Sequence, residues 1–226
     1  MRILLASNSP RRRELLALGG WTFEVVSGEV DEHPLPDESS RDYVLRLAQE
    51  KAKKGAFFGE VGDLVIAADT AVVDHEKGAE LILGKPQDAQ EAVSMLLWLR
   101  GRTHYVYSGV AVLRIGDGKL AADVCCTEVP MRQYSDEEIE AYVASGDPFD
   151  KAGAYAIQHP QFKPVDRLQG CYANVMGLPL CHLTRLLIKM NEPPVKDVVY
   201  ACHETLHFTC PVYAEILAGV RSNGKI

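Results

Sequence analysis

The chain has 226 residues, with 24 Lys and Arg against 31 Asp and Glu, for a formal net charge of −7. At 47% hydrophobic and 24% charged it has an ordinary globular composition, which excludes a disordered, collagenous or low-complexity chain. A pI near 5.5 argues against broad electrostatic binding to nucleic acid or to an anionic membrane, but leaves room for a small basic pocket.

Ile3 to Ala6 form a short apolar run suited to a buried strand. Ser9 is the expected N-cap of a helix with Pro10 at its first position, running to about Leu18 and closed by Gly19-Gly20. Trp21 to Val26 reads as a strand, and the acidic, proline-containing stretch from Glu29 as a loop. From Ser40 to about Phe57 the pattern is helical, with Val44, Leu47, Ala48 and Lys51 on one stripe. Leu64 to Val73 has the length and apolarity of a central strand, interrupted by Asp69-Thr70.

Asp88 is positioned to cap a helix over Ala89 to Arg100. His104 to Ile115 and Lys119 to Arg132 flank Gly116-Asp117-Gly118 as a hairpin. Ser135 with Glu138 three residues later forms a capping-box pattern. Gly153 to Gln158 is expected as a strand, Leu178 to Met190 as a helix, and about Cys210 to Val220 as another. The order implies an α/β protein with a mixed sheet, in which residues 1–190 form one domain and 191–226 an extension.

Six cysteines are too sparse for a disulfide scaffold, Met1-Arg2 leads into a four-residue apolar run rather than a signal peptide, and no apolar run approaches the roughly 18 residues of a membrane span. The expectation is a cytoplasmic protein with no membrane or nucleic-acid partner.

Three constellations carry chemistry. Ser7-Asn8-Ser9-Pro10-Arg11-Arg12-Arg13 crosses a strand-to-helix junction, where free N–H groups, a helix dipole and planar guanidinium donors suit phosphate; a solvated helix start paired with Glu14 is the plain alternative. Lys51 falls on the inner stripe of its helix, either to snorkel or to aim a cation into a pocket, and Lys85 offers another from the turn Gly84-Lys85-Pro86. Asp69 within LVIAADTAVV is costly to bury without a cation, hydrogen bonds or a metal, which favours a functional carboxylate; Glu32 in VDEHP is a second one, by itself merely exposed. No Walker loop, GxGxxG, HExxH, paired CxxC or GxSxG motif is present. Cys202, His203, His207 and Cys210 in the tail form a weak candidate for a metal site.

Taken in order, SNSPRRRELLALGG, VDEHP, RLAQEKA, IAADTAVV, GKPQDA, SGDPFDKAGAYAIQ and NVMGLPL resemble the Maf family of nucleoside triphosphate pyrophosphatases over about residues 3 to 190. The resemblance implies an elongated α/β fold, a mixed sheet flanked by helices, shared with inosine-triphosphate pyrophosphatases. It implies hydrolysis between the α- and β-phosphates, a divalent cofactor (Mg²⁺ or Mn²⁺) and a homodimer. Asp69 becomes the proton acceptor, Glu32 and Asp69 the metal ligands, and Ser7, Arg11, Arg12, Lys51 and Lys85 the substrate-binding residues. Arg11, Thr70 and Gln158 match the branch acting on dTTP and UTP, and modified pyrimidines fit the same reading. A purine triphosphate pyrophosphatase and a non-hydrolysing nucleotide sensor in cell division are the alternatives. The chain departs from the family pattern at Cys171, at His159-Pro160 and in its longer tail.

Overall fold

In the computed structural model, which describes residues 1–76 and 79–220, the chain opens with β1 (Ile3–Ala6), four consecutive buried residues. Ser9 caps α1 (Pro10–Ala17), its hydroxyl accepting from Arg12 N at 3.4 Å. After β2 (Phe23–Val26), α2 (Ser40–Gly55) buries Val44, Leu47, Ala48 and Lys51, the stripe expected from the sequence. A long strand, β3 (Leu64–Glu76), precedes β4 (Ala79–Leu83) and α3 (Ala89–Leu99), whose N-cap Asp88 accepts from Glu91 N at 2.8 Å. β5 (Thr103–Arg114) and β6 (Leu120–Pro130) form the expected hairpin, and α4 (Asp136–Ala144) opens with a complete capping box from Ser135 and Glu138. Four helices finish the described chain: α5 (Tyr172–Val175), α6 (Leu180–Lys189), α7 (Val198–Leu206) and α8 (Tyr213–Leu217).

The sheet runs β2-β1-β3-β5-β6, with β4 also paired to β3. β1 lies parallel to β2 and β3, whereas β5 is antiparallel to both β3 and β6, so the sheet is mixed. One edge of β3 pairs with β5 from Leu64 to Val73. On the opposite edge β1 covers Leu64 to Ile66 and β4 covers Val72 to Glu76. Between these partners Ala67 to Ala71 has no neighbouring strand on that edge among the described residues. This notch holds Asp69 and Thr70, beside the point where β1 ends and the chain turns into α1. Open α/β sheets bind ligands in such crevices beyond strand ends.

Alternation along β3 divides its side chains between two layers. Val65 and Ala67 pack with Leu4, Ala48 and Ala52 beneath α2. Leu64, Ile66 and Ala68 pack with Leu15, Leu16, Leu183 and Leu187 on the other face. Beyond the notch, Leu96, Leu99, Val106, Ile139 and Tyr142 build a separate core around α3 and α4.

Two expected elements differ. Residues 153–158 form no strand: Gly153 and Ala154 adopt positive φ (68° and 58°) in a 3₁₀ turn, so the backbone bends instead of extending. The tail carries two helices rather than one, broken where His207 takes a left-handed conformation. It docks on the body: Val198, Cys210, Val212 and Ile216 join the same buried cluster as Leu183 and Leu187. Val195 N and Lys196 N both donate to Gly19 O, at 3.0 and 3.1 Å. All six cysteines are free thiols, and among the described residues no helix is long and apolar enough to cross a membrane.

Candidate active site

Asp69 and Thr70, adjacent on β3, point to opposite faces of the sheet and collect different partners. On the α2 face, Lys51 Nζ donates to Asp69 Oδ1 at 2.5 Å and to Glu32 Oε1 at 2.6 Å. Lys51 and Asp69 are 8% and 7% exposed, so an ion pair stands almost out of water at the base of the notch. Of the three ammonium donors, one is left over. Tyr43 Oη donates to Glu32 O at 2.8 Å and Arg46 Nη2 to His33 O at 3.2 Å, which pins the acidic loop against α2. Burial by itself would raise the Glu32 carboxyl. The hydrogen bond and charge of Lys51, with the charges of Lys85 and Arg12, outweigh it and hold the pKa below the usual carboxylate value.

On the other face, Arg12 is fixed by three bonds: Nε to Gly177 O at 2.9 Å, Nη1 to Ser7 Oγ at 3.3 Å and Nη2 to Thr70 Oγ1 at 3.2 Å. A guanidinium has five N–H donors, so one remains on each Nη, the fork that grips an anion through two parallel bonds. Removal from water lowers the Arg12 pKa, Asp69 and Glu32 counter that, and Arg11 adds to the lowering. Ser108 lies beneath Thr70, 2.9 Å between their hydroxyl oxygens, and donates to Asn174 O at 3.1 Å. With the Ser108 proton used in that way, Thr70 is the donor between the two hydroxyls. Asn174, wholly buried, donates to Val106 O and Thr127 Oγ1 and anchors the turn that carries Gly177.

These groups surround a cleft of about 450 Å³. Ser7, Arg11, Arg12, Glu32, Lys51, Thr70, Lys85 and Gln158 all line it. Asp69 is not among the lining residues; its Oδ1 is bonded to Lys51, which is. Lys85 and Gln158 are exposed at the rim, and Gly153 N donates to Gly84 O at 3.0 Å, tying their two segments together. Arg13 points to solvent, so the arginine triplet splits, with Arg11 meeting Asp150 across the cleft at 3.3 Å.

Asp150, Lys151, Tyr155 and Gly177 also line the cleft and were not singled out from the sequence. Three of them lie in SGDPFDKAGAYAIQ, where two acids just before a lysine were the available signal. In the tail, His203 Nε2 accepts from Cys210 N at 3.1 Å, which gives that histidine a structural partner. Among the described residues no group of three His, Cys, Asp or Glu is arranged to hold a metal.

The family model for Maf-like protein matches residues 2–190. The chain is 41% identical to a dTTP/UTP pyrophosphatase of Dehalococcoides mccartyi, over 85% of this chain and 84% of that protein. It is 47% identical to a protein of the same name from Thermomicrobium roseum, over 85% and 86% of the two chains. A third such relative, from Anaeromyxobacter dehalogenans, is also 47% identical, over 85% and 95%. Among solved structures, a nucleoside-triphosphatase (dITP/XTP pyrophosphatase) from Mycobacterium abscessus aligns over 84% of this chain and 94% of its own, with 17% identity and a TM-score of 0.37. The Ham1 protein of Staphylococcus aureus aligns over 58% and 72%, with 16% identity and a TM-score of 0.40. A family match that spans nearly the whole body, with relatives above 40% identity along its length, establishes that this chain belongs to the Maf family.

Proposed function

We propose that the protein is a nucleoside triphosphate pyrophosphatase acting on dTTP and UTP, giving the monophosphate and pyrophosphate and so cleansing the nucleotide pool. One observation carries the assignment of roles: Lys51, paired with the buried Asp69, and the two free donors of Arg12 line one cleft from opposite sides of β3. Triphosphate oxygens would lie between Arg12, the remaining donor of Lys51, Lys85 and Arg11, with Ser7 orienting Arg12. Water oxygen adds to the α-phosphorus, the bond to the bridging oxygen breaks, and pyrophosphate leaves against the basic cluster. Lys51 occupies Asp69 Oδ1, and Oδ2 is the oxygen we assign as acceptor of the water's proton.

Glu32 and Asp69 present hard carboxylate oxygens to the same ammonium, a donor set that suits Mg²⁺ or Mn²⁺ shared with substrate phosphates. They are the residues that would hold such an ion, and bound there it would neutralise phosphate charge. Thr70 and Gln158 support the pyrimidine assignment by family resemblance, and an amide can donate and accept at once toward O4 and N3–H. Residues 1–190 carry the reaction in this reading, 191–226 are a packed extension, and the six free thiols fit a reducing cytoplasm.

The test is pyrophosphate release with Mg²⁺ or Mn²⁺ across dTTP, UTP, CTP, GTP, ITP and a methylated GTP, with Asp69→Asn alongside. Release confined to dTTP and UTP, reduced by orders of magnitude in the variant while nucleotide still binds, is the expected result. A purine preference would overturn the substrate assignment. Near-normal turnover by Asp69→Asn would overturn the role given to Asp69.

A further inference from the structure

Lys151 is a cation in the cleft wall with nothing left to offer a substrate. Its ammonium has three donors, and they go to Asp147 O at 2.6 Å, Asp147 Oδ1 at 3.0 Å and Asp150 Oδ1 at 2.6 Å. The residue is 8% exposed, so those bonds hold it rigidly. Asp147 also accepts from Tyr142 Oη at 2.7 Å, and Tyr142 stacks on Phe162 with ring centroids 4.3 Å apart. The anchor therefore extends into the core around α4.

Asp150 uses its second oxygen differently. Oδ2 accepts from Arg11 Nη1 at 3.3 Å, joining the first turn of α1 to a segment 139 residues away across the cleft. Burial alone would raise the Asp150 carboxyl, but its bonds and charge contacts with Lys151 and Arg11 keep it low and so charged. One contact leaves the Arg11 guanidinium with four N–H donors.

We propose that Asp150, locked by Lys151, is a positioning residue that holds Arg11 across the mouth of the cleft so that its remaining donors meet the nucleotide already oriented. The proposal rests on the reading above in taking Arg11 as a substrate contact. Neither Asp150 nor Lys151 touches the substrate in this account. Lys151 fixes Asp150, and Asp150 fixes Arg11.

A double-mutant cycle tests it, using steady-state hydrolysis of dTTP by the full chain, Asp150→Ala, Arg11→Ala and the double variant. For a partly exposed ion pair, Asp150→Ala should raise KM roughly two- to fivefold and leave kcat within about a factor of two. Asp150→Glu should recover most of that loss. In the Arg11→Ala background, Asp150→Ala should leave KM essentially unchanged, because the group it positions is gone. An equal rise in KM in both backgrounds would overturn the proposal, and so would an unchanged or lower KM in Asp150→Ala. Thermal unfolding of each variant separates misfolding from mispositioning. If Asp150→Ala does not fold, Asp150→Asn keeps an acceptor for Lys151 and removes the charge facing Arg11, and the same cycle applies. Should the wild type release no pyrophosphate from any nucleotide, the proposed function fails instead, and the cycle is read as Kd for a non-hydrolysable dTTP analogue.

Discussion

Asp69 stands directly opposite Gly109 in the β3–β5 ladder, and the two face the same side of the sheet, the side covered by α2. A Cβ at position 109 would lie 2.2 Å from Val44 O and 2.6 Å from Val44 C, backbone atoms that cannot swing away. The missing side chain lets α2 lie hard against β5. Lys51, about two turns beyond Val44, then reaches Asp69 at 2.5 Å. Gly109→Ala should push the helix outward, destabilise the protein by about 1–3 kcal/mol and depress turnover with it. Urea unfolding and pyrophosphate release on the same preparation check this; stability and rate both at wild-type levels would contradict it.

Lys51 and Asp69 should be coupled in stability as well as in chemistry. Their side chains are about one-tenth exposed, so Lys51→Met leaves a buried carboxylate without its cation, a change that costs about 3–5 kcal/mol. Adding Asp69→Asn should recover much of the stability and none of the turnover. Additive losses in the double variant would show that the pair is not coupled.

His104 predicts a pH dependence of stability. The imidazole is fully buried, with Nε2 2.8 Å from Tyr155 Oη, and burial drives its pKa from an ordinary 6.5 down to about 4, the charge of Asp74 opposing weakly. Between those values the unfolded chain binds a proton that the folded protein does not. Stability therefore rises with pH across this window: about 3 kcal/mol present above pH 6.5 is lost as pH falls toward 4. Denaturant titrations at several pH values should show this slope, and His104→Phe should flatten it.

Gly177 has φ +103°, and a Cβ there would lie 3.2 Å from Thr70 Oγ1, close to the Arg12 guanidinium. Its carbonyl is also the acceptor for Arg12 Nε. Gly177→Ala should cost about 1–2 kcal/mol in backbone strain and, by shifting that carbonyl, loosen Arg12, so KM should rise more than kcat falls. Equal KM values for variant and wild type would separate Arg12 from this turn.

Ile216 in α8 is 2% exposed and belongs to the cluster that includes Leu183 and Leu187 of α6. Ile216→Ala should destabilise the protein by about 2–5 kcal/mol, while KM and kcat below the unfolding transition stay at wild-type values. A fall in melting temperature too small to measure would mean that the tail contributes little to the fold.

Local order was legible in the sequence because it depends on neighbours a few residues apart. Ser9, Asp88 and the Ser135–Glu138 box each satisfy N–H groups within one turn, and all three cap the expected helices. Helical spacing alone turned Lys51 inward. Alternation across β3 sends Asp69 and Thr70 to opposite faces, but the notch that exposes their surroundings depends on which strands flank β3 and where each stops. That register is a long-range outcome. Glu32 shows the difference: its own loop marked it as exposed, which it is, family resemblance singled it out, and only the fold of that loop against α2 placed it 2.6 Å from Lys51. Residues 153–158 show the opposite case, where an apparent strand became a turn because Gly153 and Ala154 take positive φ within a packed wall.

The alternation of apolar residues, the caps and the motif order, all carried by the chain itself, determined the mixed α/β class and picked out eight of the residues that line the cleft. Tertiary structure alone decided their partnerships. Arg11 meets Asp150, Arg12 meets Gly177, and Ser108 meets Asn174 across separations of 139, 165 and 66 residues. Such contacts leave no periodic trace, because each depends on the closure of a long loop and on the summed packing of several elements rather than on any local preference.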